Sequence, residues 1–260
     1  GLNEALSLDP DRVEANEQFG IVQYQAGNLD AAMSAFETVV RLKPDQAEGH
    51  ANLGFLFAEK GATNAAIASF REALKRDPAL LEAHLGLADL YKAQDNMDGA
   101  IEQWSEAVRL RADLNDVRLS LGEAYAGRGQ LGEAIREYRL LVERKPDDAR
   151  VHLRLGQIHY QNGEVDNAAK EYRAALQIAS ALPEAHYGLA SCLEDQGNRE
   201  AADSELEKAL AIKPDYLEAT EKLASFRAAI TPTHEDDHQE ALPEEKVKKS
   251  RWGFFGRDKK

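Results

Sequence analysis

Small residues recur with a period of 34 through the first 230 residues of this 260-residue chain, without insertion or deletion. When seven units are aligned to start at residues 13, 47, 81, 115, 149, 183 and 217, the eighth position is always glycine or alanine. The twentieth position is alanine in all six units that reach it. A fixed period of this length is typical of stacked structural units that bury their apolar faces only against their neighbours. We therefore expect function on a long shared surface and not in one enclosed pocket.

Each unit contains two runs of apolar residues at helical spacing, separated by a break near its fifteenth position. The break is glycine in five units, which suits a left-handed helix stop: Gly27, Gly61, Gly129, Gly163 and Gly197. Acidic or amide residues three positions later are predicted N-caps of a second helix: Asp30, Asn64, Asp98 and Asp166. Each unit is thus predicted to be a helix–turn–helix. Large rings at position 24 are predicted to fill the space beside the small residues: Phe36, Phe70, Trp104, Tyr138 and Tyr172.

The order of these residues resembles the tetratricopeptide repeat family. The fourth unit shows the shared pattern, which is Leu-Gly, then alanine, an aromatic ring and a closing proline: Leu121, Gly122, Ala134, Tyr138 and Pro146. The resemblance covers residues 1–230 and recurs seven times. It implies an all-α, right-handed α-solenoid of stacked helix–turn–helix units, in which the first helices line a concave groove.

The chain departs from the family pattern at two places. The tryptophan usual near position 4 is replaced throughout: Asn16, His50, His84, Arg118, His152, His186 and Thr220. The four histidines lie in different units, too far apart to share a metal ion, and are predicted to be ring-shaped packing residues. Ala112 and Ser180 replace two closing prolines, which predicts looser joints at those positions.

The period divides the chain into four predicted parts. Residues 1–12 are the second-helix remnant of a truncated repeat, and residues 13–230 form an array of six full repeats with a terminal helix from residue 217. Residues 231–245 hold six acids and two prolines and are predicted to be an acidic flexible linker. Residues 246–260 form a basic-aromatic tail. Because Gly1 falls in the middle of a repeat, we expect preceding sequence, in which any N-terminal targeting signal would lie.

Charge and composition argue against several classes of partner and location. Residues 1–230 hold 39 acidic and 25 basic residues, a net charge of −14, whereas residues 231–260 are neutral overall. Such an acidic array is not expected to bind double-stranded nucleic acid. The single cysteine, Cys192, requires no oxidising compartment and is predicted to be a buried structural thiol. A cytoplasmic location is favoured, with membrane association as the alternative.

The family's groove is lined by unit positions 2, 5, 6, 9, 12 and 13, which here hold 13 acids and 4 bases. Six of the acids occupy position 2, in the first helical turn, where the helix dipole alone favours them. Position 5 is apolar in the middle units: Ala51, Leu85, Leu119, Leu153 and Tyr187. These side chains either form a contact stripe that faces solvent or pack against neighbouring helices, and both interpretations remain open. The candidate groove residues are Tyr24, Asn52, Phe55, Leu85, Asp89, Leu119, Glu123, Arg150, Leu153, Arg154, Gln157, Tyr160 and Tyr187.

No cofactor, metal or catalytic site is predicted, and the chain is predicted not to be an enzyme. Residues 234–238 spell HExxH, but they follow two threonines and a proline in an acidic stretch without the apolar face that a zinc-binding helix needs. The family's clamp for a chaperone carboxylate is also not predicted. Arg150 and Arg154 match its last pair, but the preceding partners would be Leu85, Asp89 and Ser120.

The tail combines clustered positive charge with three aromatic residues: Lys248, Lys249, Arg251, Trp252, Phe254, Phe255 and Arg257. Four interpretations remain open. The tail has no function, makes weak contact with an anionic membrane, folds back into the acidic groove, or docks to another protein.

The predicted function is that of a non-catalytic scaffold, which binds a peptide or helical segment of a protein partner in the groove. An acidic, apolar groove favours a basic and apolar partner segment. The alternative is a membrane-associated accessory or assembly subunit, docked to a larger complex through the tail and the array surface.

Overall fold

The structure, a computed structural model, describes residues 6–228. Residues 6–8 are helical, and thirteen further helices follow within the described range. These are α1 (Val13–Gln25), α2 (Leu29–Leu42), α3 (Ala47–Glu59), α4 (Thr63–Arg76), α5 (Leu81–Ala93), α6 (Met97–Leu110), α7 (Asn115–Gly127), α8 (Leu131–Arg144), α9 (Ala149–Gln161), α10 (Val165–Ile178), α11 (Pro183–Asp195), α12 (Arg199–Ile212) and α13 (Leu217–Ala228). The predicted linker at 231–245, the HExxH motif at 234–238 and the predicted tail at 246–260 lie outside the described residues.

The helices stack in chain order. Each odd-numbered helix packs against the even-numbered helix that follows it, and that helix packs against the first helix of the next unit. Contacts between neighbours in this order build an elongated stack in which every unit supports the next. The prediction of an all-α, right-handed α-solenoid of helix–turn–helix units is therefore confirmed.

The two helices of a unit lie close together because a ring packs directly on a small residue. Tyr138 of α8 is only 1% exposed, and a Cβ atom on Gly122 of α7 would lie 2.8 Å from its ring. Ala134, one turn before the ring, has no exposed surface. Burying a large apolar side chain stabilises the fold by roughly 1.5–3 kcal/mol. The ring and the glycine together set the spacing of the hairpin.

A residue in the left-handed backbone region ends the first helix of each full unit. Gly129 has a φ of 72°, and the other four turn glycines have similar values. In the third unit Asp95 takes this place with a φ of 59°. Aspartate is one of the few residues with a Cβ atom that visits this region, because its short polar side chain can bond locally.

The predicted N-caps of the second helices were wrong by two residues. Asp30, Asn64, Asp98 and Asp166 lie inside the first turns of their helices. The observed cap residues are Asn28, Ala62, Asn96 and Glu164. The left-handed residue makes a tight chain reversal. The second helix therefore begins two residues earlier than predicted. Of these caps, Asn96 accepts a hydrogen bond from the backbone N–H of Gly99 at 3.1 Å.

In the third to sixth units, the polar side chain at position 4 connects the first helix to two other parts of the array. His152 lies 2.7 Å from the carboxylate of Glu171, on the second helix of its own unit. Its other ring nitrogen lies 3.0 Å from the carbonyl oxygen of Pro146, in the preceding loop. Equivalent contacts recur around His84, Arg118 and His186, with the side-chain amide of Gln103 as the partner of His84. These three histidines are buried, as predicted, and are also hydrogen-bonded bridges, whereas His50 is half-buried and, among the described residues, hydrogen-bonds only to the carbonyl oxygen of Pro44.

Loss of the closing proline does not change this bridge. Arg118 Nε donates to the carbonyl oxygen of Ala112 at 3.3 Å, and His186 Nε2 lies 3.1 Å from the carbonyl oxygen of Ser180. The bridge uses the backbone carbonyl at the closing position, and every residue type supplies one.

Replacing a left-handed glycine should destabilise the array without any steric clash. Gly129→Ala should lower the free energy of unfolding by about 1–2 kcal/mol, because a Cβ atom is disfavoured at positive φ. Space is available for the methyl group, so the loss would be conformational. Gly132→Ala, three residues later inside α8, is the matched control and should stabilise the array by roughly 0.5–1 kcal/mol. Denaturant unfolding measures both; equal effects of the two variants would contradict this account.

Removing one partner of the buried ion pair should be costly. Arg118 Nη1 lies 2.6 Å from Glu137 Oε2, and both side chains are less than a tenth exposed. Arg118→Ala should lower the free energy of unfolding by about 3 kcal/mol, because it leaves a buried carboxylate whose remaining partner, Arg136, is exposed and 3.6 Å away. Arg128→Ala breaks an exposed pair with Asp98 and should cost about 1 kcal/mol or less. Similar losses for both arginines would show that the buried bridge has no special role.

Candidate functional site

The first helices of successive units form one continuous wall. In addition to the contacts within units, α3 touches α5 and α9 touches α11 directly. This convergence brings the odd-numbered helices together on one side of the stack, which we call the inner wall. Side chains that point between neighbouring first helices therefore line gaps along this wall.

Four recesses lie along the inner wall, each with a ring from position 24 at its base. Recess I lies between α1 and α3 over Phe36, and recess II lies between α5 and α7 over Trp104. Recess III lies between α7 and α9 over Tyr138, and recess IV lies between α9 and α11 over Tyr172. Their volumes are about 350, 310, 380 and 340 Å³ in that order. Each could hold one large side chain of a ligand.

Recess I has the most exposed apolar rim. Ile21, Tyr24 and Phe55 are 40%, 42% and 37% exposed around it. The ring of Phe55 also meets Phe70 edge-on, with 4.9 Å between the ring centroids. Asn52 adds an amide to the lining. Gln25 adds a second amide, so this recess combines a rigid aromatic wall with polar groups that can orient a ligand.

Recesses II and III share an acidic edge at Glu123. In recess II the ammonium group of Lys92 lies 5.7 Å from the centroid of the Trp104 ring, a cation–π distance. In recess III Arg154 donates to the side chain of Gln157 at 3.2 Å. Recesses II and III are thus each lined by acidic and basic residues. In this they differ from recess IV, which is rich in tyrosine.

Recess IV is lined by four tyrosines. Tyr160, Tyr187 and Tyr216 surround the buried Tyr172. The rings of Tyr187 and Tyr216 lie 5.3 Å apart at an angle of 45°. Tyrosines offer large, rigid contact areas with one polar end, and such residues are enriched at the centres of protein interfaces.

The surroundings of recess IV are acidic. Burial and the nearby Asp195 together raise the pKa of Tyr160 to about 12. Burial, with smaller contributions from Glu184 and Glu218, raises the pKa of Tyr216 to about 12. Of these carboxylates, Glu184 lines the recess itself.

Cations of the array already lie over the rings of recess IV. Lys213 Nζ is 4.9 Å from the centroid of Tyr216, and Lys222 Nζ is 5.7 Å from that of Tyr187. Lys222 also pairs with Glu194 at 2.6 Å. The ring faces and the acidic rim therefore accept positive charge together.

The structure brings together part of the predicted groove set. Tyr24, Asn52 and Phe55 share recess I. A second set lines recesses II to IV: Glu123, Arg154, Gln157, Tyr160 and Tyr187. The remaining candidates line none of the four recesses: Leu85, Asp89, Leu119, Arg150 and Leu153.

The position-5 side chains are neither sealed nor fully exposed. Leu85, Leu119, Leu153 and Tyr187 are half-buried, and the last three also pack against the neighbouring cores. Ala51 is buried. Each larger side chain at position 5 is therefore partly exposed on the inner wall and partly packed. Both interpretations left open from the sequence apply in part.

Sequence reasoning missed the residues at the recess bases. The rings at position 24 were predicted to fill space in the core, and they do, but one side of each also faces the inner wall. Ser120 and Gly127, small residues beside Trp104, were the available signal, because they leave space for a recess next to its ring. Tyr216 lies in the loop before α13, at a position that the family pattern does not assign to the groove.

Chemically reactive groups are few in the described part of the chain. Burial raises the pKa of the Cys192 thiol to about 11, so it is held as an inert thiol, as predicted. No cluster of metal-ligating side chains occurs among residues 6–228. Over the same range, no helix combines the length and apolar character needed to cross a bilayer.

Two sequence-family models, both described as tetratricopeptide repeat, match the chain. One matches residues 2–47, 17–80 and 119–183, and the other matches residues 57–113 and 159–225. No curated protein matches the chain in sequence.

Several solved structures share the fold. YrrB, a tetratricopeptide repeat protein, is 22% identical with a TM-score of 0.63, and the match covers 74% of this chain and 98% of YrrB. The C-terminal part of a tetratricopeptide repeat-containing protein from Cytophaga hutchinsonii is 18% identical with a TM-score of 0.64, covering 85% of this chain and 92% of that one. A chain from the structure of Naa15/Naa10 bound to HypK-THB is 17% identical with a TM-score of 0.68, covering 84% of this chain and 34% of that one. At these identities the likeness concerns the fold alone.

The acidic character of recess IV can be tested through the ionisation of its tyrosine. Glu218→Lys should move the pKa of Tyr216 part of the way from about 12 toward its ordinary value of 10, because burial remains while a neighbouring negative charge is reversed. Ultraviolet difference titration measures this shift, and Tyr216→Phe identifies the signal. Glu200→Lys is the matched control, since Glu200 occupies the same first-turn position of α12, an even-numbered helix. An unchanged titration in Glu218→Lys would contradict the assigned electrostatics.

Proposed function

We propose that this chain, which belongs to the tetratricopeptide repeat family, is a non-catalytic scaffold whose inner wall binds a segment of another protein. The observation that carries the proposal is the series of ring-based recesses between successive first helices. Open recesses with aromatic bases and a few polar groups are the usual form of anchor sites for side chains. YrrB, which shares the fold, is described as having an unusual peptide-binding site.

The spacing of the recesses favours a particular ligand geometry. Packed helices lie about 8–10 Å apart, so neighbouring recesses are separated by roughly that distance. An extended segment advances about 3.3 Å per residue, and its anchors would then be three residues apart. On a helical segment, anchors two turns apart would match the same spacing. The half-buried Leu119 and Leu153 supply apolar surface between the anchors.

The charge of the wall favours a basic and apolar segment. Acidic residues surround recess IV, and recesses II and III share Glu123. Burial raises the pKa of Asp89, although the nearby Lys92 opposes this shift. Arg150 and Arg154 form one basic step within this lining, and an acidic residue of the ligand would be accommodated there. Complementary charge of this kind directs the encounter and excludes acidic segments more than it sets affinity.

The alternative function is a membrane-associated accessory or assembly subunit. It depends on residues 246–260, which lie outside the described residues. Its support is the sequence of that segment, in which basic residues flank Trp252, Phe254 and Phe255. Co-sedimentation of the full chain with anionic vesicles, with and without these three aromatic residues, separates this function from the scaffold.

A library of random peptides selected against the full chain tests the scaffold. Enriched peptides should carry net positive charge and aromatic or aliphatic residues about three positions apart. Phe55→Ala or Tyr187→Ala should weaken binding of peptides anchored at recess I or IV by about tenfold, the effect of losing about 1.4 kcal/mol of contact energy. Fluorescence anisotropy of the selected, labelled peptides measures this loss.

Ile212→Ala is the matched control for Phe55→Ala. Ile212 is 39% exposed, close to the value for Phe55, but it ends the outer helix α12. Its replacement should leave peptide affinity unchanged. Selected peptides that are acidic, or that lose affinity equally with Ile212→Ala, would contradict the proposal.

A further inference from the structure

The chain itself carries a segment with the properties expected of the ligand. Residues 246–260 contain seven basic residues and one acid, a net charge of +6. Trp252 and Phe255 are three residues apart, which matches the expected spacing of anchors for neighbouring recesses. The described part of the array is acidic, so the two parts of the chain have opposite charge and matching apolar character.

We propose that residues 246–260 occupy recess IV of the same molecule and compete there with external ligands. This inference rests on the proposed function, because it assigns a regulator to the same inner wall. Among the four recesses, recess IV is the one surrounded by Glu184, Asp195 and Glu218. Glu184 lines this recess together with the tyrosine rings, so a basic-aromatic segment meets a carboxylate and aromatic surface at the same place.

The chain is long enough for this contact. Tyr216 of recess IV precedes α13, which ends at Ala228 after twelve residues, or about 18 Å of helix. Trp252 is the twenty-fourth residue after Ala228, and this length of chain can span about 80 Å when extended. Covalent attachment gives such a segment an effective concentration on the millimolar scale. A weak contact is therefore sufficient to keep the recess occupied.

Occupation of recess IV by residues 246–260 would weaken the binding of external partners there. A competitor at millimolar effective concentration with an affinity near 0.1 mM lowers the apparent affinity of an external ligand by roughly tenfold. Ligands anchored only in recess I should be unaffected, since that recess lies four units away along the chain. Regulation would thus be local to one end of the inner wall.

The first measurement uses Trp252 as a reporter in the full chain. The protein has two tryptophans, so Trp104→Phe leaves Trp252 as the single emitter. Its emission should be blue-shifted and protected from acrylamide, and this protection should be lost with Tyr187→Ala or with Glu184→Lys combined with Glu218→Lys. Glu200→Lys, at the matched first-turn position of α12, and Tyr24→Ala, in recess I, should leave the protection unchanged.

The second measurement keeps Trp104 and therefore does not depend on the folding of that variant. A labelled synthetic peptide of residues 246–260 should bind the full chain carrying Trp252→Ala and Phe255→Ala about tenfold more tightly than the unaltered chain. The same peptide with both aromatic residues replaced by alanine should bind neither chain.

Three results would overturn the proposal. One is a Trp252 that is fully accessible to quencher, together with equal peptide affinity for both chains. Another is protection that is unchanged by the substitutions at Tyr187 and Glu184/Glu218, since the segment would then contact another part of the chain, such as the acidic residues 231–245. The third is protection that rises with protein concentration, which indicates contact between copies. In each case binding of selected library peptides would still report separately on the scaffold function.

Discussion

The contact between a large ring at unit position 24 and a small residue at position 8 is the interaction on which the rest of the structure depends. It holds the two helices of a unit at close distance, as between Tyr138 and Gly122. The ring reaches across its hairpin, so its far side points toward the first helix of the next unit. Where that helix carries small side chains, a recess remains beside the ring, and the buried ring forms its base. One residue per unit thus stabilises the hairpin and shapes the inner wall, and loss of the close contact would change both.

The parts of the fold that repeat could be predicted, because seven copies of one pattern leave few alternatives for helix order, turn position and core rings. Predictions failed where a single local geometry decided the outcome. The left-handed turn residue starts the second helices earlier than Asp30 or Asp98 indicated. The partner of His152 is Glu171, nineteen residues away, and helical periodicity in one segment does not reveal such a pair. The recess at Trp104 forms because the residues beside its ring, Ser120 and Gly127, are small, and a pattern of large residues does not reveal such a gap.

The distribution of charge has two separate origins. Acids in the first turns of the odd-numbered helices, such as Glu184 and Glu218, complement the helix dipole and would be favoured there without any ligand. Because those turns lie beside the inner wall, the same charges also act on a ligand. The buried bridges, such as Arg118 with Glu137, lie between the two helices of one unit. Stability and ligand selection therefore use different charged residues, so one can be altered without the other.

Ligands are expected to bind along the odd-numbered helices, in the recesses between them. Amide hydrogen exchange of the full chain carrying Trp252→Ala and Phe255→Ala, with and without a selected basic-aromatic peptide, tests this without competition from the chain's own segment. Exchange should slow in α9 and α11 on peptide binding, with little change in α10 and α12, whose exposed faces lie away from the wall. Protection concentrated on the even-numbered helices, with α9 and α11 unchanged, would contradict it.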